Sequence, residues 1–360
     1  MSDPEPLSPR RRVWRYGRPV VLLAVAFIAA RIIIGIVGQV DWPAVWAAIG
    51  LVPIASAALL FVVLLVRQVF NAVPLTQFVP ALSLPQSVQN DLSAYLIGTV
   101  APPPADVVLR VSMFRSWGID PVEGMAGVTL NMLTFYAVRF VAPALGLAFL
   151  AFHEVESGQI WQAALSLLVA VAILGALASI SRGDRMAALI GATAGRVAAR
   201  FRESVNPDQW AQAVVGFRAK IGDRVRTGVF PSLGALIGML GAESLLVLIA
   251  VRSVGLGAEV LPASLIVGTF LLAYPLTLFP LMGLGILDAV VVAALTSHAG
   301  IAYESQIVAG MIIWRVASLL VPYVLAVAAF GWWRLSTADE PRGSTDSASD
   351  YSTSASPEEN

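Results

Sequence analysis

Residues 99–115 read TVAPPPADVVLRVSMFR. Three consecutive prolines, Pro102, Pro103 and Pro104, stand between two apolar segments, and Asp106 and Arg110 follow within about a helical turn. Each proline removes a backbone donor, and its ring obstructs the preceding turn, so no continuous helix runs through this stretch. What such a break means depends on its surroundings. The chain of 360 residues is 58% hydrophobic and only 13% charged, with a mean hydropathy of +0.79. A soluble domain carries roughly a quarter charged residues. Here apolar runs of about 20 residues recur, the length that crosses a bilayer as a helix. Strand-period alternation is absent, which argues against a β-barrel. The fold class expected is an all-α integral membrane protein, a polytopic bundle of about 7–9 spans with re-entrant or broken helices. In hydrocarbon the carbonyls that prolines orphan must find partners, so a break of this kind belongs inside protein or beside a polar cavity.

Spans are expected near 19–40, 44–66, 125–151, 158–180, 229–251, 260–280 and 303–333, with two shorter or interrupted apolar stretches at 86–118 and 283–300. This divides the chain into a basic N-terminus (1–18), a membrane domain (19–333) and a Ser/Asp/Glu-rich tail (334–360) too polar to fold. Arg10, Arg11, Arg12, Arg15 and Arg18 precede the first span, which is too long for a signal-peptide core and reads as a start-anchor helix. Segment 181–227 carries eight arginines and Lys220 against four acids, whereas the short loops near 41, 154 and 256 are mostly acidic. The positive-inside rule therefore puts both termini and 181–227 in the cytoplasm of a cell-membrane protein. Within 181–227, Trp210, Val214, Phe217, Ile221 and Val225 form one apolar helical stripe. Such helices either lie on anionic headgroups or pack on the protein's own cytoplasmic face.

Asn71, Gln77, Gln86, Gln89, Asn90 and Asp91 are too polar for a lipid-facing span, so 71–118 is expected to form two re-entrant arms or tilted half-helices lining an internal cavity, with a cytoplasmic amphipathic linker as the alternative. Proline suits a first helical turn, so a helix restarts at Pro104. Asp106 then lies at the positive end of the helix dipole, with Arg110 on the same face. Residues 275–301, PLTLFPLMGLGILDAVVVAALTSHAGI, have the same look. Pro275, Pro280, Gly283 and Gly285 break one helix, and Asp288 opens the next. Aligned without gaps, 106–119 and 288–301 share an Asp, a Val, a Gly and an Ile, a hint of an internal repeat. Paired interrupted segments in two halves mark substrate sites in many transporters. Long helices carrying Arg139 and Arg315 follow the two breaks, and Glu243 and Arg31 also fall within spans. Ionisable groups at that depth face partners or a polar cavity. As neutralising pairs, Asp106–Arg110, Asp288–Arg315 and Glu243–Arg139 are the expected combinations.

On these residues the sequence resembles the transmembrane-region family of lysylphosphatidylglycerol synthases, a flippase-like domain that also occurs alone, over roughly residues 20–333. The first mark of the family is a proline break, then Gly-Glu and an arginine; here it reads Pro103-Pro104-Ala105-Asp106 and Arg110. The second is a Gly-Gly-x-Gly type turn, then an acid, a glycine and a helix-borne arginine; here it reads Met282-Gly283-Leu284-Gly285, Asp288, Gly300 and Arg315. Aspartates replace both glutamates, Ala105 replaces a glycine, Met282 replaces a turn glycine, and Arg139 lies two turns past the arginine often found near 131–132. The resemblance implies movement or accommodation of lipids across the cytoplasmic membrane, without the soluble synthase domain.

The expected function is thus a lipid translocase or lipid-handling transporter. Arg110, Arg139 and Arg315 would bind an anionic or aminoacylated headgroup, since guanidinium forks match phosphate oxygens. Asp106 and Asp288 would order those arginines or contact a cationic headgroup, and Glu243 is counted with the headgroup-binding residues. Membrane lipids, an anionic phospholipid or a lipid-linked substrate, are the expected partners; a homo-oligomer or an envelope-biogenesis partner stays open, and nucleic acid is not expected. No cysteine is present, and His153 and His298 lie far apart, so no metal site, cofactor or catalytic residue is assigned. No phosphate-binding loop occurs, and Lys220 is the only lysine. A membrane-embedded enzyme acting on a lipid phosphate and a non-catalytic scaffold of envelope machinery are the alternatives.

Overall fold

A computed structural model describes residues 41–338 except 102–103, 154 and 202–204. The expected first span at 19–40 with Arg31, the basic N-terminus, Pro102, Pro103 and the tail beyond 338 lie outside the described residues. Every regular element among the described residues is a helix. A short α1 (Trp42–Gly50), capped by the Asp41 carboxylate, precedes α2 (Ile54–Phe78). Then come α3 (Leu84–Val100) and α4 (Ala105–Ser116), either side of the proline break, and the long α5 (Pro121–Leu150). α6 (Ser157–Arg182), α7 (Asp184–Phe201) and the 47-residue α8 (Pro207–Ser253) follow. α9 (Ala263–Ala273) tightens into a 3₁₀ turn over Tyr274–Leu278, and α10 (Pro280–Gly283) leads into α11 (Ile286–Ala299). α12 (Glu304–Arg315) passes through a π-helical segment, Val316–Leu320, into α13 (Val321–Ala338).

Five stretches are long and apolar enough to cross a membrane: Ile54–Phe78, Pro121–Leu150, Ser157–Ile180, Arg224–Ser253 and Ile301–Thr337. The protein is an all-α, multi-pass membrane protein. The apolar Ala263–Leu278 and Ile286–Ala299 are shorter.

Contacts between elements fix which ends lie together. The Arg224 guanidinium pairs with Glu123 and reaches the Phe78 carbonyl, so the start of α5, the end of α2 and the basic segment 181–227 share one end of the bundle, the basic end. Leu75, Val79, Leu82, Phe114, Ile119 and Val128 form one buried cluster there. Both feet of the α3–α4 hairpin therefore rest at the basic end. Trp333 of α13 donates its indole N–H to Ser116 Oγ at 3.0 Å, which brings the end of α13 to that same end. At the opposite end, Arg252 of α8 donates to the carbonyls of Leu256, Gly257 and Leu261. α9 starts just after Leu261. α12 runs antiparallel to α8, with Gly310 against Val251 and Trp314 reaching Glu243, so the α11–α12 corner also lies at this end. The α9–α11 hairpin thus enters from the face opposite to α3–α4. It packs closely on α5 at Gly146, where a Cβ would stand 2.7 Å from the Gly268 carbonyl oxygen.

Several expected boundaries move. The span placed at 44–66 is broken at Pro53, and the membrane helix is instead Ile54–Phe78. Its polar residues Arg67, Gln68 and Asn71 are tolerated on a helix because each finds a partner inside the bundle. The hairpin is accordingly 84–116 rather than 71–118. The span at 229–251 is the last part of α8, which runs unbroken from Pro207 because nothing in 207–228 interrupts the i to i−4 ladder. α7 packs along the first part of α8, and Asp184 pairs with Arg218. The two basic helices pack mainly on each other, and Leu189 and Trp210 stay exposed. α13 continues to Ala338, past the boundary set for the tail.

Candidate functional site

The tips of the two hairpins border one groove. Gly98 and Thr99 from the end of α3 and Met282 and Leu284 from the second break line one groove of about 720 Å³ with Arg315. The groove is apolar, and Leu284, Val316 and Leu320 on its walls are exposed. Tyr95 and Met282 belong both to this groove and to a smaller polar cavity of about 280 Å³. Arg67, Gln68, Asn71, Asp91, Arg110 and Arg139 line the cavity, along with Phe135 and Ser318.

A single polar network is built around that cavity. Trp314 Nε1 donates to Glu243 Oε1 at 3.0 Å, and Arg67 Nε donates to Glu243 Oε2 at 2.7 Å. Arg67 Nη1 also reaches Gln68 Oε1 at 3.4 Å, and Gln68 in turn donates to Asp91 Oδ2 at 3.2 Å. Asn71 donates to the same oxygen at 2.5 Å. Arg110 Nη2 lies 3.7 Å from Asp91 Oδ1, and its Nη1 donates to Asn90 Oδ1 at 2.5 Å. Five helices, α2, α3, α4, α8 and α12, are tied by this chain. The pairs Arg67–Glu243 and Arg110–Asp91 are each neutral, as burial requires.

Arg139 is different. It is 8% exposed and forms no ion pair among the described residues. Its guanidinium lies 4.4 Å from the Phe135 ring centroid, its Nη1 reaches the Thr277 carbonyl at 3.4 Å, and its Nε has no hydrogen-bond partner. A buried, incompletely satisfied cation on a cavity wall invites an anion.

At the second tip, the expected Asp288–Arg315 pair forms, with Nε to Oδ1 at 2.7 Å. Asp288 Oδ2 accepts from the Gly285 N–H at 2.7 Å, and Arg315 Nη1 donates to the Met282 carbonyl at 3.2 Å. Met282, Gly283 and Gly285 all have positive φ, of 55°, 68° and 84°. Met282 therefore occupies, at a cost in backbone strain, a conformation that glycine adopts freely. The π-helical turn that starts just after Arg315 carries Ser318, whose buried Oγ is unsatisfied at the cavity wall.

Two expected pairs do not form. Asp106 and Arg110 share a helix face, yet Arg110 turns to Asp91 and Asn90 on α3, and Asp106 forms no ion pair or hydrogen bond among the described residues. Its Cβ faces Gly98 at the hairpin tip. Asp91 wins because it is held in place by Gln68 and Asn71, whereas Asp106 is unsupported. Glu243 pairs with Arg67 rather than Arg139, since Arg67 lies on α2, the helix that packs most extensively on α8. Pro104 serves as the N-cap of α4 and Gly285 as that of α11. Arg67 and Asp91 were not singled out from the sequence as site residues. An arginine in the middle of the apolar run LLFVVLLVRQVF was the available signal.

No family model matches the chain, and no curated protein does.

Proposed function

We propose that the protein is a lipid translocase or lipid-handling transporter of the cytoplasmic membrane, and that the polar cavity takes an anionic headgroup while the adjoining groove takes an acyl chain. Arg139, a buried guanidinium without an ion-pair partner on the cavity wall, carries this reading. The apolar groove that shares Tyr95 and Met282 with the cavity supports it, because one amphipathic molecule spans both. The opposed hairpins, with Asp106 and Asp288 each in the first turn of the restarted helix, fit an inverted repeat whose re-entrant tips frame a midplane site. The resemblance to the flippase-like family points the same way. In this reading the basic end, with the end of α13, faces the cytoplasm. The chemistry asked of the residues is binding and reorientation: Arg139 holds a phosphate oxygen, Arg110 and Arg67 set the local potential through their neutral pairs, and Arg315 fixes the second tip.

The test is translocation of fluorescent phosphatidylglycerol in proteoliposomes. Arg139→Gln should slow it at least tenfold, about the loss of one charge-assisted hydrogen bond of 1.5 kcal/mol or more. Stability should hold or rise, because no carboxylate partner is orphaned. Unchanged translocation by a stable Arg139→Gln protein would overturn the proposal.

A further inference from the structure

A second groove, of about 630 Å³, lies at the basic end between α6 and α8, away from the hairpin tips. Its apolar part is made by Leu174 and Leu177 of α6 and by Val229 and Leu233 of α8. Arg182 and Arg226 stand at its mouth. Both arginines are exposed and neither makes an ion pair or hydrogen bond among the described residues, whereas the nearby Arg218 and Arg224 are matched by Asp184 and Glu123. Their position in the helices is also telling. Arg182 closes α6 two residues after the apolar span Ser157–Ile180 ends, and Arg226 falls in the first turn of the apolar span Arg224–Ser253. The two helices are antiparallel, so both charges sit at the level where hydrocarbon gives way to headgroups, directly above an apolar slot. Phe230, 79% exposed, extends the slot on the lipid-facing side.

We infer that this groove is a peripheral binding site for an anionic phospholipid. The phosphate is held between Arg182 and Arg226, and one acyl chain lies along Leu174, Leu177, Val229 and Leu233. Two guanidinium groups with no carboxylate partner among the described residues select a headgroup with net negative charge. The apolar slot selects a lipid over a free phosphate ion. This site is separate from the central cavity and stands whether or not the protein moves lipid.

The experiment is native mass spectrometry of the full chain released from micelles containing dioleoylphosphatidylglycerol, dioleoylphosphatidylcholine or inorganic phosphate. It is run in the Arg139→Gln background, so that the central cavity does not contribute. Phosphatidylglycerol should be retained over phosphatidylcholine. Arg182→Gln with Arg226→Gln should weaken retention on the order of ten- to thirty-fold, from about 1 kcal/mol per basic residue at a membrane surface. Arg185→Gln with Arg196→Gln, which removes two exposed arginines of α7 outside the groove, should leave retention unchanged. Equal retention of phosphatidylcholine would make the groove merely apolar. Equal losses from both double variants would make the attraction diffuse, and displacement by inorganic phosphate would make it an ion site. Each of these outcomes overturns the proposal.

Discussion

The two helical hairpins share a local pattern, a broken helix restarted with an aspartate, and end with opposite electrostatics. In each, a helix restarts after a Pro/Gly-rich break with an aspartate in its first turn. At the second tip Asp288 is fully engaged, accepting from the Gly285 N–H and from Arg315. At the first tip Asp106 engages nothing among the described residues, and Arg110 pairs with the neighbouring helix instead. The difference begins in the backbone. The residue three before Asp288 is a glycine with positive φ whose N–H turns back onto the carboxylate. The residue three before Asp106 is Pro103, which has no N–H to give. Proline and glycine both break a helix, but only glycine leaves a donor at the break. An aspartate at a helix start is therefore a fixed structural anchor in one hairpin and an acid without a partner among the described residues in the other.

This contrast can be broken or sharpened by mutation. The largest effect is expected from Asp288→Ala, which orphans Arg315, whose side chain is 9% exposed, and removes the acceptor of the Gly285 N–H. Loss of one member of a buried pair costs about 3–5 kcal/mol, and the lower end applies because the Asp288 side chain is one-fifth exposed. Equilibrium unfolding in mixed micelles reads this directly; a loss under about 1 kcal/mol would mean the second tip is not held by this pair. A smaller loss, about 1–2 kcal/mol, should follow Gly285→Ala, because alanine at a φ of 84° is strained even where space allows it. The same assay checks it, and an unchanged midpoint would show that the turn relaxes without the glycine. Smallest of all is Asp106→Ala, expected within about 0.5 kcal/mol of the parent, since no pair is broken. A loss as large as that of Asp288→Ala would erase the distinction between the hairpins.

Much of this was legible in the sequence. Apolar runs of spanning length, sparse charge and the proline break fixed the helical membrane class, because hydrocarbon allows few ways of satisfying a backbone. The placing of two interrupted elements, each followed by an arginine-bearing helix, was legible as well, since Pro and Gly act through their own covalent geometry. Of the three neutralising pairs expected, Asp288–Arg315 is the one the structure contains.

Only the tertiary structure decided who pairs with whom at the first tip and around the cavity. Residues four apart on a helix, such as Asp106 and Arg110, are neighbours, but that proximity is worth only a few tenths of a kcal/mol in water. A carboxylate already oriented by Gln68 and Asn71 outcompetes it, and that orientation comes from α2 packing on α3, which no local pattern encodes. Likewise Arg67 could be seen as a charge in an apolar run, yet its union with Glu243, 176 residues away, follows from helix packing alone. That union leaves Arg139 without an ion pair among the described residues. Sequence determines which groups must be satisfied; the packed helices decide which one is left over, because pairing of buried charges depends on three-dimensional distance and desolvation rather than on spacing along the chain.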